Sequence, residues 1–510
     1  MTFTARATGA RNARTGALAA VLAAVLLAGC GNDPAGGGGK ADGDRDGDGD
    51  GKDSAAPVIT PAPAVTPAPV VTPGPDSAPV PQGKGSKLPR DVNGDGYSDL
   101  HLQVPQARTV YVLGSKKGLL PDTRITRDAE DPALGTGTSG VPPTADLDGD
   151  GYPETLSTAS DNTEVTGPGG VIHASRSLAY VTWGSAQGPG TGAEPTLLKL
   201  PGADSRTGLG DTGPAVGDFD GDGSADVAAV GLEGKNLLLM YGPFRRDGTP
   251  SRTDTRTADT GGWGDLVPDR IDAEADRPTG LLIRQGDDGE QAGNILFAAG
   301  PDGLPERGRE VRAGSAAAFG DFDGDGTRDV AIGDNGSRNN EPGYETEAPE
   351  IDQSLDVYYG GDTSAKPQHL PVPHLNGPFV AADTDGDGRT ELAVGKGAPE
   401  DGGASQGPEL LTLSRTKIEK RVSLTRTVPA RVDGARAGKS DRVAQLAEAG
   451  DFNGDGKDEL VLRWHARPQS SGPDDKHEGR WWITNSREDL LAFTSQPYAT
   501  PLNTGAPSSP

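Results

Sequence analysis

The sequence predicts an all-β fold, a seven-bladed β-propeller of four-stranded blades with ion-binding hairpin loops, preceded by a linker. Three observations predict it. A nine-residue acidic motif occurs six times, and each copy is followed at once by an apolar run typical of a strand. The 510 residues include 77 Gly and 43 Pro, which suits many short strands joined by tight turns. Length alone suggests about three or four domains, but a repeat of this kind builds a single stacked array.

The first 29 residues are expected to be an export signal and not part of the fold. Arg6, Arg11 and Arg14 form a basic segment, an apolar run follows from Ala17, and the run ends in Leu-Ala-Gly-Cys30. This ending resembles the lipobox of bacterial lipoproteins, which implies cleavage before Cys30 and a diacylglycerol on its sulfur. The alternative is an ordinary secretory signal with a chance cysteine. A transmembrane helix is disfavoured because the apolar run is too short.

The predicted address is therefore extracytoplasmic, on the outer face of a bacterial cell membrane, with a lipid anchor at Cys30. Because Cys30 is the only cysteine, no disulfide can form within the chain. Residues 30–86 are expected to be a disordered linker. They contain a glycine run at 36–39, an acidic low-complexity stretch at 42–53, and a Pro/Ala/Thr-rich spacer at 58–81 that favours an extended conformation. Residues 498–510 are expected to be a flexible tail.

The acidic motif is clearest at residues 321–329, where four carboxylates stand within nine residues. Such groups repel one another and are costly to desolvate together, so a folded loop of this kind requires a cation. Oxygen ligands and a flexible loop favour calcium (Ca²⁺) over Mg²⁺. A Gly at the sixth position allows the positive φ that wraps the loop around the ion. A solvated acidic turn without metal is the alternative, and six matching copies disfavour it.

The predicted ligands are side-chain oxygens at positions 1, 3, 5 and 9 and the backbone carbonyl at position 7, which gives about six calcium sites. In that order of positions the six copies are Asp91, Asn93, Asp95, Tyr97 and Asp99; Asp146, Asp148, Asp150, Tyr152 and Glu154; Asp218, Asp220, Asp222, Ser224 and Asp226; Asp321, Asp323, Asp325, Thr327 and Asp329; Asp383, Asp385, Asp387, Arg389 and Glu391; and Asp451, Asn453, Asp455, Lys457 and Glu459.

An EF-hand loop begins in the same way but needs a bidentate acid at position 12. Position 12 is apolar or Ser in all six copies, and the flanking residues suggest strands. The loop is therefore predicted to be the turn of a β-hairpin. The position-12 residues are Leu102, Ser157, Ala229, Ile332, Val394 and Leu462.

Residues 87–497 form the predicted repeat array. Successive motifs start 55, 72, 103, 62 and 68 residues apart, so the gap of 103 should hide a degenerate unit. Asp272, Glu274 and Asp276 fit its first, third and fifth positions, with Arg277 in place of the Gly and Gly280 at the ninth. We expect weak or no metal binding there, and seven units in all.

A further strand-like run follows each loop, and a weaker outer strand would complete four strands per unit, as in a propeller. These runs are residues 109–114, 179–184, 236–242, 294–297, 355–360, 410–413 and 480–483. The stretch before Asp91 is a poor strand. We therefore expect the C-terminal run at residues 490–493 to complete the first blade.

The motif with its flanks resembles the FG-GAP repeat of integrin-α-type propellers. Phe319-Gly320 before a loop and Gly397-Ala398-Pro399 after one carry the two signatures. The resemblance covers most of the chain after the linker. It implies a seven-bladed propeller with calcium, chiefly structural, in hairpin loops on one rim, and ligand binding at the opposite rim and central axis. Such repeats occur in adhesion and binding proteins and beside enzymes, so the resemblance does not fix the function.

The net charge of −27 makes nucleic acid a poor partner. A serine-nucleophile pattern at residues 403–407 is expected by chance in so glycine-rich a chain, and the six histidines show no metal-ligand spacing. We expect a monomeric, non-enzymatic binding or adhesion module for an extracellular protein or glycan. The alternative is a carbohydrate-active enzyme such as a polysaccharide lyase, whose basic and aromatic residues would come from Arg463, Trp464, His465, Arg480, Trp481 and Trp482.

Overall fold

The computed structural model describes residues 65–104, 108–127, 142–167, 170–190, 194–201, 209, 213–231, 234–258, 260, 264–272, 277–286, 291–336, 351–361, 365–397, 405–432, 435–438, 441–465 and 479–499. All of them belong to one compact unit, Pro61–Pro510. The predicted export signal, Cys30 and the linker up to residue 64 lie outside the described residues, as do residues 500–510.

The described strands form seven successive sheets, and each sheet is one blade of a ring. Before them stands β1 (Val70–Val71). The first blade contains β2 (Leu100–Val104), β3 (Arg108–Val112) and β4 (Arg124–Arg127). The second contains β5 (Thr144–Ala145), β6 (Glu154–Gly167), β7 (Gly170–Thr182) and β8 (Thr196–Leu197). The third contains β9 (Ala215–Gly217), β10 (Asp226–Val230), β11 (Asn236–Tyr241) and β12 (Arg252–Thr257).

The remaining blades repeat this order of four antiparallel strands. The fourth contains β13 (Gly264–Pro268), β14 (Leu281–Gly286), β15 (Gln291–Phe297) and β16 (Arg309–Val311). The fifth contains β17 (Ala316–Gly320), β18 (Asp329–Gly333), β19 (Ser354–Tyr358) and β20 (Gln368–Pro371). The sixth contains β21 (Leu375–Ala382), β22 (Glu391–Lys396), β23 (Glu409–Ser414) and β24 (Lys417–Ser423). A small hairpin, β25 (Arg431–Val432) and β26 (Ala435–Arg436), precedes the seventh, which contains β27 (Gln445–Gly450), β28 (Glu459–His465), β29 (Gly479–Thr484) and β30 (Asp489–Thr494).

Each blade packs on both of its neighbours because successive side chains of a strand point to opposite faces of the sheet. Strand β28 shows this: Leu460 and Leu462 pack against the sixth blade, whereas Val461 packs against the first. The second strand of a blade is therefore buried on both sides. This explains why β10 and β18 are continuous runs of buried residues.

The ring closes between the seventh and first blades through an apolar core. Leu100 and Leu102 of β2 pack in one cluster with Val461, Phe493 and the C-terminal Tyr498. Apolar clusters of the same kind fill the five seams from the second blade to the seventh. The predicted all-β fold of seven blades in a ring is confirmed.

The predicted route of ring closure is wrong. Residues 490–493 lie in β30 and form the outer strand of the seventh blade, not a strand of the first. The connection from β29 to β30 is a tight turn in which Asn485 N–H donates to the Glu488 carbonyl at 3.2 Å, so β30 folds back on β29 at once. Within the described residues the first blade keeps three strands.

Residues 65–86, which we name the N-terminal strap, contact the ring. Val70 and Val71 pair in parallel with Ala492 and Phe493 at the outer edge of the seventh blade. Further along, the Arg124 guanidinium of the first blade donates to the carbonyls of residues 74 and 75 at 3.0 and 2.5 Å. The predicted boundary at residue 87 is therefore too late, because part of the predicted linker pairs with the sheets.

Helix is nearly absent from the described residues, which contain the short 3₁₀ turns Ile351–Gln353 and Gln496–Ala499. None of the helices in the described part of the chain has the length and apolar character needed to cross a membrane. The second turn places Tyr498 in the seam, where its hydroxyl donates to the Pro121 carbonyl at 2.8 Å. Residue 498, predicted to begin a flexible tail, is buried.

Candidate metal centres

The six acidic motifs occupy equivalent places, and we name them the rim loops. Five of them connect the first and second strands of a blade, and the loop at 91–99 leads into β2. The pairing of Gly320 with Asp329 brackets the loop at 321–329 as a hairpin turn, as predicted. Because every blade has the same orientation in the ring, the loops share one rim.

The first carboxylate of each loop organises the turn. In the loop at 321–329, Asp321 Oδ1 accepts the N–H groups of Gly324 and Asp325 at 2.8 and 3.1 Å, and Oδ2 accepts that of Gly326 at 2.9 Å. Gly326 has a φ of 85°, which a side chain would make costly. The turn thus needs glycine at the sixth position for a backbone reason, and the sixth-position glycine has a positive φ in all six loops.

The ninth carboxylate joins the loop to the end of the third strand. Asp329 Oδ2 accepts the Phe322 N–H at 2.9 Å, and Oδ1 accepts the Gly360 N–H at 2.8 Å. The same double contact recurs at Asp99 with Val92 and Gly114, at Glu154 with Leu147 and Gly184, and at Asp226 with Phe219 and Gly242. This role was not predicted, because the glycine that donates lies well outside the motif in sequence.

Burial makes the ninth carboxylates weak acids in the ion-free molecule. Desolvation raises the pKa of Glu154 and of Asp226 to about 8, although backbone N–H donors lower it. Desolvation likewise raises the pKa of Asp329 and of Glu459 to about 7. Nearby carboxylates of the same loop add to the increase. A cation in the loop would favour the charged form instead.

In each of four rim loops, carboxylate oxygens lie close enough together to bind one metal ion. In each group the oxygens of three residues lie within 4.8 Å of one another. The fifth position contributes in one loop and the ninth in the other three. The groups are Asp146, Asp148 and Glu154; Asp218, Asp220 and Asp226; Asp321, Asp323 and Asp325; and Asp383, Asp385 and Glu391.

The other two loops have an amide at the third position, and its oxygen is an independent sign of a cation. The Oδ1 atoms of Asn93 and Asn453 are buried and accept no hydrogen bond within the described residues. Leaving a buried acceptor unsatisfied costs about 1–3 kcal/mol. A metal ion in each loop would satisfy that loop's amide oxygen, so the donor sets of both loops fit a cation that prefers oxygen ligands. The seventh-position carbonyls remain predicted ligands.

The rim loops also form joints between blades. The first-position carbonyls of Asp321 and Asp383 accept the N–H groups of Thr390 and Asp458 in the following blade, both at 2.8 Å. Second-position carbonyls do the same: the Leu147 carbonyl accepts the Phe244 N–H at 2.7 Å. Order in a loop is therefore coupled to the contact between neighbouring blades.

The fourth blade exists as predicted, but its degenerate loop begins earlier. Strand β13 ends at Pro268, and the Asp269 N–H donates to the Gly280 carbonyl at 2.8 Å, so Asp269 and not Asp272 takes the first position. Arg328 of the next blade binds the buried Asp269 carboxylate with two contacts, of 2.8 and 2.5 Å. Residues 273–276, with the acids predicted at the third and fifth positions, lie outside the described residues.

An arginine of the degenerate loop itself crosses the ring. Arg270 donates to both carboxylate oxygens of Asp458, at 3.1 and 2.8 Å. Asp458 belongs to the rim loop of the seventh blade, which stands on the opposite side of the ring from the fourth. The pair therefore spans the central axis at the rim.

The residues proposed for carbohydrate cleavage do not form one cleft. Trp464 and Trp482 are buried between the sixth and seventh blades, and Trp481 is buried between the seventh and first. His465 packs edge-on against Trp481, with 5.5 Å between ring centroids. Arg463 is exposed on β28. The tryptophans serve blade packing.

Comparison with known proteins adds little beyond these observations. Neither protein-family models nor curated proteins give a match to the chain. Among solved structures, an ACO/RPE65 chimera is 13% identical with a TM-score of 0.30, over 63% of this chain and 72% of that one. A Photorhabdus luminescens Tc holotoxin pore is 15% identical with a TM-score of 0.31, over 78% of this chain and 17% of that one. The Dos1 propeller is 9% identical with a TM-score of 0.29, over 75% and 92%. Likenesses this low carry no argument, so the ring is established by its own strand order.

Proposed function

We propose that this protein is a calcium-stabilised β-propeller of the FG-GAP type, lipid-anchored at Cys30 to the outer face of a bacterial cell membrane, and that it acts as a binding module. The observation that carries the proposal is the place of the rim loops. Their clustered oxygens stand at the joints between blades, where a bound ion would fix blade geometry. The metal is then structural, and the ligand binds elsewhere on the ring.

The FG-GAP assignment is supported by the packing around the glycine that precedes each of two rim loops. A Cβ on Gly320 would lie 2.7 Å from the Phe322 ring and 2.8 Å from Thr390 of the next blade. A Cβ on Gly217 would meet the Phe219 ring at 2.5 Å and Thr279 at 2.9 Å. Glycine before the loop therefore has a steric reason in two blades, and the motif is part of the contact between blades.

Calcium is the ion that best suits these loops. The candidate ligands are carboxylate, amide and carbonyl oxygens, and calcium accepts six to eight of them in flexible geometry. At a free concentration of about 1,000 Kd, each site would stabilise the fold by about 4 kcal/mol. We expect EDTA to lower the melting temperature markedly, calcium to restore it, and metal analysis to find about six calcium ions per chain, from the six loops. An unchanged melt in EDTA would refute the calcium role.

The proposed ligand is an extracellular protein or glycan, bound by a monomer. The net charge of −27 disfavours nucleic acid. Calcium-loaded protein should retain a partner in a pull-down from cell surfaces or bind on a glycan array, and the EDTA-treated protein should lose that binding. Loss of binding would then follow loss of the blade geometry that calcium fixes, and circular dichroism would show whether the ring itself stays folded in EDTA.

The lipid anchor has its own test. Mass spectrometry of the membrane fraction should find a diacylglycerol-modified N-terminal cysteine, and Cys30→Ser should release the protein from membranes. A Cys30→Ser protein that stays in the membrane fraction would contradict the anchor.

A polysaccharide lyase is not supported, because three of its candidate aromatic residues are buried in blade cores. Depolymerisation of an acidic polysaccharide by the purified protein would reverse that conclusion.

A further inference from the structure

An arginine occupies the acidic centre of the second blade's rim loop. Arg246 Nε lies 2.6 Å from Asp148 Oδ2, and its Nη2 lies 2.5 Å from Asp150 Oδ2. Its guanidinium also lies over the Trp183 ring, 5.5 Å from the centroid. Arg246 comes from the turn between β11 and β12 of the third blade. A cation of the next blade therefore bridges the third and fifth carboxylates of this loop.

The arrangement recurs in the fifth blade. Arg415, from the turn between β23 and β24 of the sixth blade, pairs with both Asp323 and Asp325 and lies over the Tyr359 ring. In the third blade, Arg252 binds Asp220 at 2.5 Å. No arginine of the described residues pairs with the third or fifth position of the loops at 91–99, 383–391 and 451–459. The rim loops thus fall into two classes. In the paired class an arginine contacts the third or fifth carboxylate, and in the unpaired class no arginine of the described residues does so.

The fourth blade shows what a guanidinium can do on this rim. Its loop has lost the motif, yet the first-position carboxylate of Asp269 is buried and bound at two atoms by Arg328 of the neighbouring blade. There an arginine neutralises the first-position acid in place of an ion. Paired contacts of this kind fix the orientation of a carboxylate and also offset its negative charge.

We propose that Arg246 and Arg415 are the counter-cations of the ion-free rim and compete with calcium for the third and fifth carboxylates of their loops. This inference rests on the proposed calcium role of the rim loops. Each guanidinium offsets the repulsion between two carboxylates and keeps the joint between two blades closed without metal. When calcium binds, a doubly charged ion meets a loop that already contains a cation. These two loops should bind calcium more weakly than the unpaired class and gain less stability from it.

The test compares variants of the full chain carrying Cys30→Ser, with melting measured in EDTA and in saturating calcium. Arg246→Gln and Arg415→Gln should each lower the EDTA melting temperature by about 2 °C. They should change the calcium-loaded value less, so the rise caused by calcium becomes larger than in the parent. Calcium titration should show the weakest sites tightening about 3- to 10-fold, because a like charge has been removed.

Two further variants serve as controls. Lys199→Gln breaks an exposed ion pair with Asp247, 2.8 Å long, in the same turn as Arg246 but away from the acidic centre. It should leave the calcium-induced rise unchanged. Arg246→Lys keeps the charge without the forked contact and should fall between parent and Arg246→Gln.

The outcomes separate this inference from the proposed function. If calcium does not raise the melting temperature of the parent, the calcium role of the rim loops is wrong. If calcium raises it but the rise in Arg246→Gln and Arg415→Gln equals that of Lys199→Gln, the loops bind calcium and the counter-cation inference is overturned. A larger rise in both arginine variants, with an unchanged Lys199→Gln, supports it.

Discussion

At the ninth position of four rim loops, one buried side chain accepts two backbone N–H groups that are far apart in sequence. Asp226 accepts from Phe219 at 2.7 Å and from Gly242 at 2.8 Å. The residue types show that an acid is needed there, but sequence spacing indicates only a metal ligand. The second contact depends on the length of two strands, which brings the glycine back to the rim.

Asp226→Ala should therefore destabilise the protein even without metal. It leaves two buried N–H groups without an acceptor, and we expect a loss of about 2–5 kcal/mol in the free energy of unfolding. Urea denaturation in EDTA would measure this. Asp302→Ala, at an exposed turn position, should change the value by less than about 0.5 kcal/mol. Equal effects of the two substitutions would contradict the structural role of Asp226.

A glycine that follows the third strand offers a second residue-scale prediction. A Cβ on Gly360 would lie 2.5 Å from the Arg328 carbonyl, whereas a Cβ on Gly300 would meet nothing within 4 Å. Gly360→Ala should cost about 1–3 kcal/mol through steric crowding. Gly300→Ala should be close to neutral. Thermal melts of the two variants would decide, and a tolerated Gly360→Ala would show that the rim can shift to accept a methyl group.

At the scale of the elements, the inner strands were predictable and the outer ones were not. Six of the seven strand-like runs after the loops overlap the third strand of a four-stranded blade, and the run at 109–114 overlaps β3, because those strands are buried and therefore apolar. The outer strand β12 is largely exposed, with the sequence Arg-Thr-Asp-Thr-Arg-Thr. Nothing in such a polar segment marks a strand, since only its neighbour β11 places it in the sheet. The first position of the fourth blade's loop was missed because Ile271 and Ala273 stand where the motif has acids at the third and fifth positions, and Asp269 is bound by Arg328.

Each rim loop, taken as a unit, should make the ion-free protein sensitive to pH. Burial raises the pKa of Glu154 to about 8 and of Asp329 to about 7, above the values expected in the unfolded chain. The folded state then binds protons that the unfolded state has released. That stability is present below about pH 4 and is lost as the pH rises through about 7 to 8.

The melting temperature in EDTA should accordingly fall between about pH 5 and pH 8, whereas in saturating calcium it should change much less. Calcium favours the ionised carboxylates and removes the advantage of the protonated form. Calorimetry at fixed ionic strength would record both curves. A flat profile in EDTA would mean that the ninth carboxylates are ionised in the ion-free fold.

Across the whole molecule, the repeat period predicted the ring, and the contacts that close it were not predictable. Tyr498 and Phe493 enter the seam with the first blade, and residues 65–86 bind the outside of the same two blades. The Pro-rich composition of that segment suggested a free spacer. Its strand β1 is only two residues long, and its contacts with the Arg124 guanidinium are made by backbone carbonyls, which leave no signal in the residue types.

Removing residues 65–79 of the N-terminal strap should weaken the seam. A chain that begins at residue 80 loses the β1 pairing and the carbonyl contacts of Arg124, so its melting temperature should fall by several degrees while its circular dichroism stays that of a β protein. A chain that begins at residue 65 should melt like the full chain. Identical melts of the two truncated chains would show that the strap lies on the ring without stabilising it.

The strap also decides where tension on the N-terminus would enter the ring. A pull on the chain ahead of residue 65 acts first on Thr66, whose carbonyl accepts the Asp489 N–H at 2.8 Å, and then on the parallel pairing of β1 with β30. Neighbouring strands held in parallel resist such a pull by shear along their length. Beyond them the load passes to Arg124 of the first blade. The force is thus shared by the seventh and first blades. It acts on the seam between them, where the strap and the segment containing Tyr498 both contact the ring.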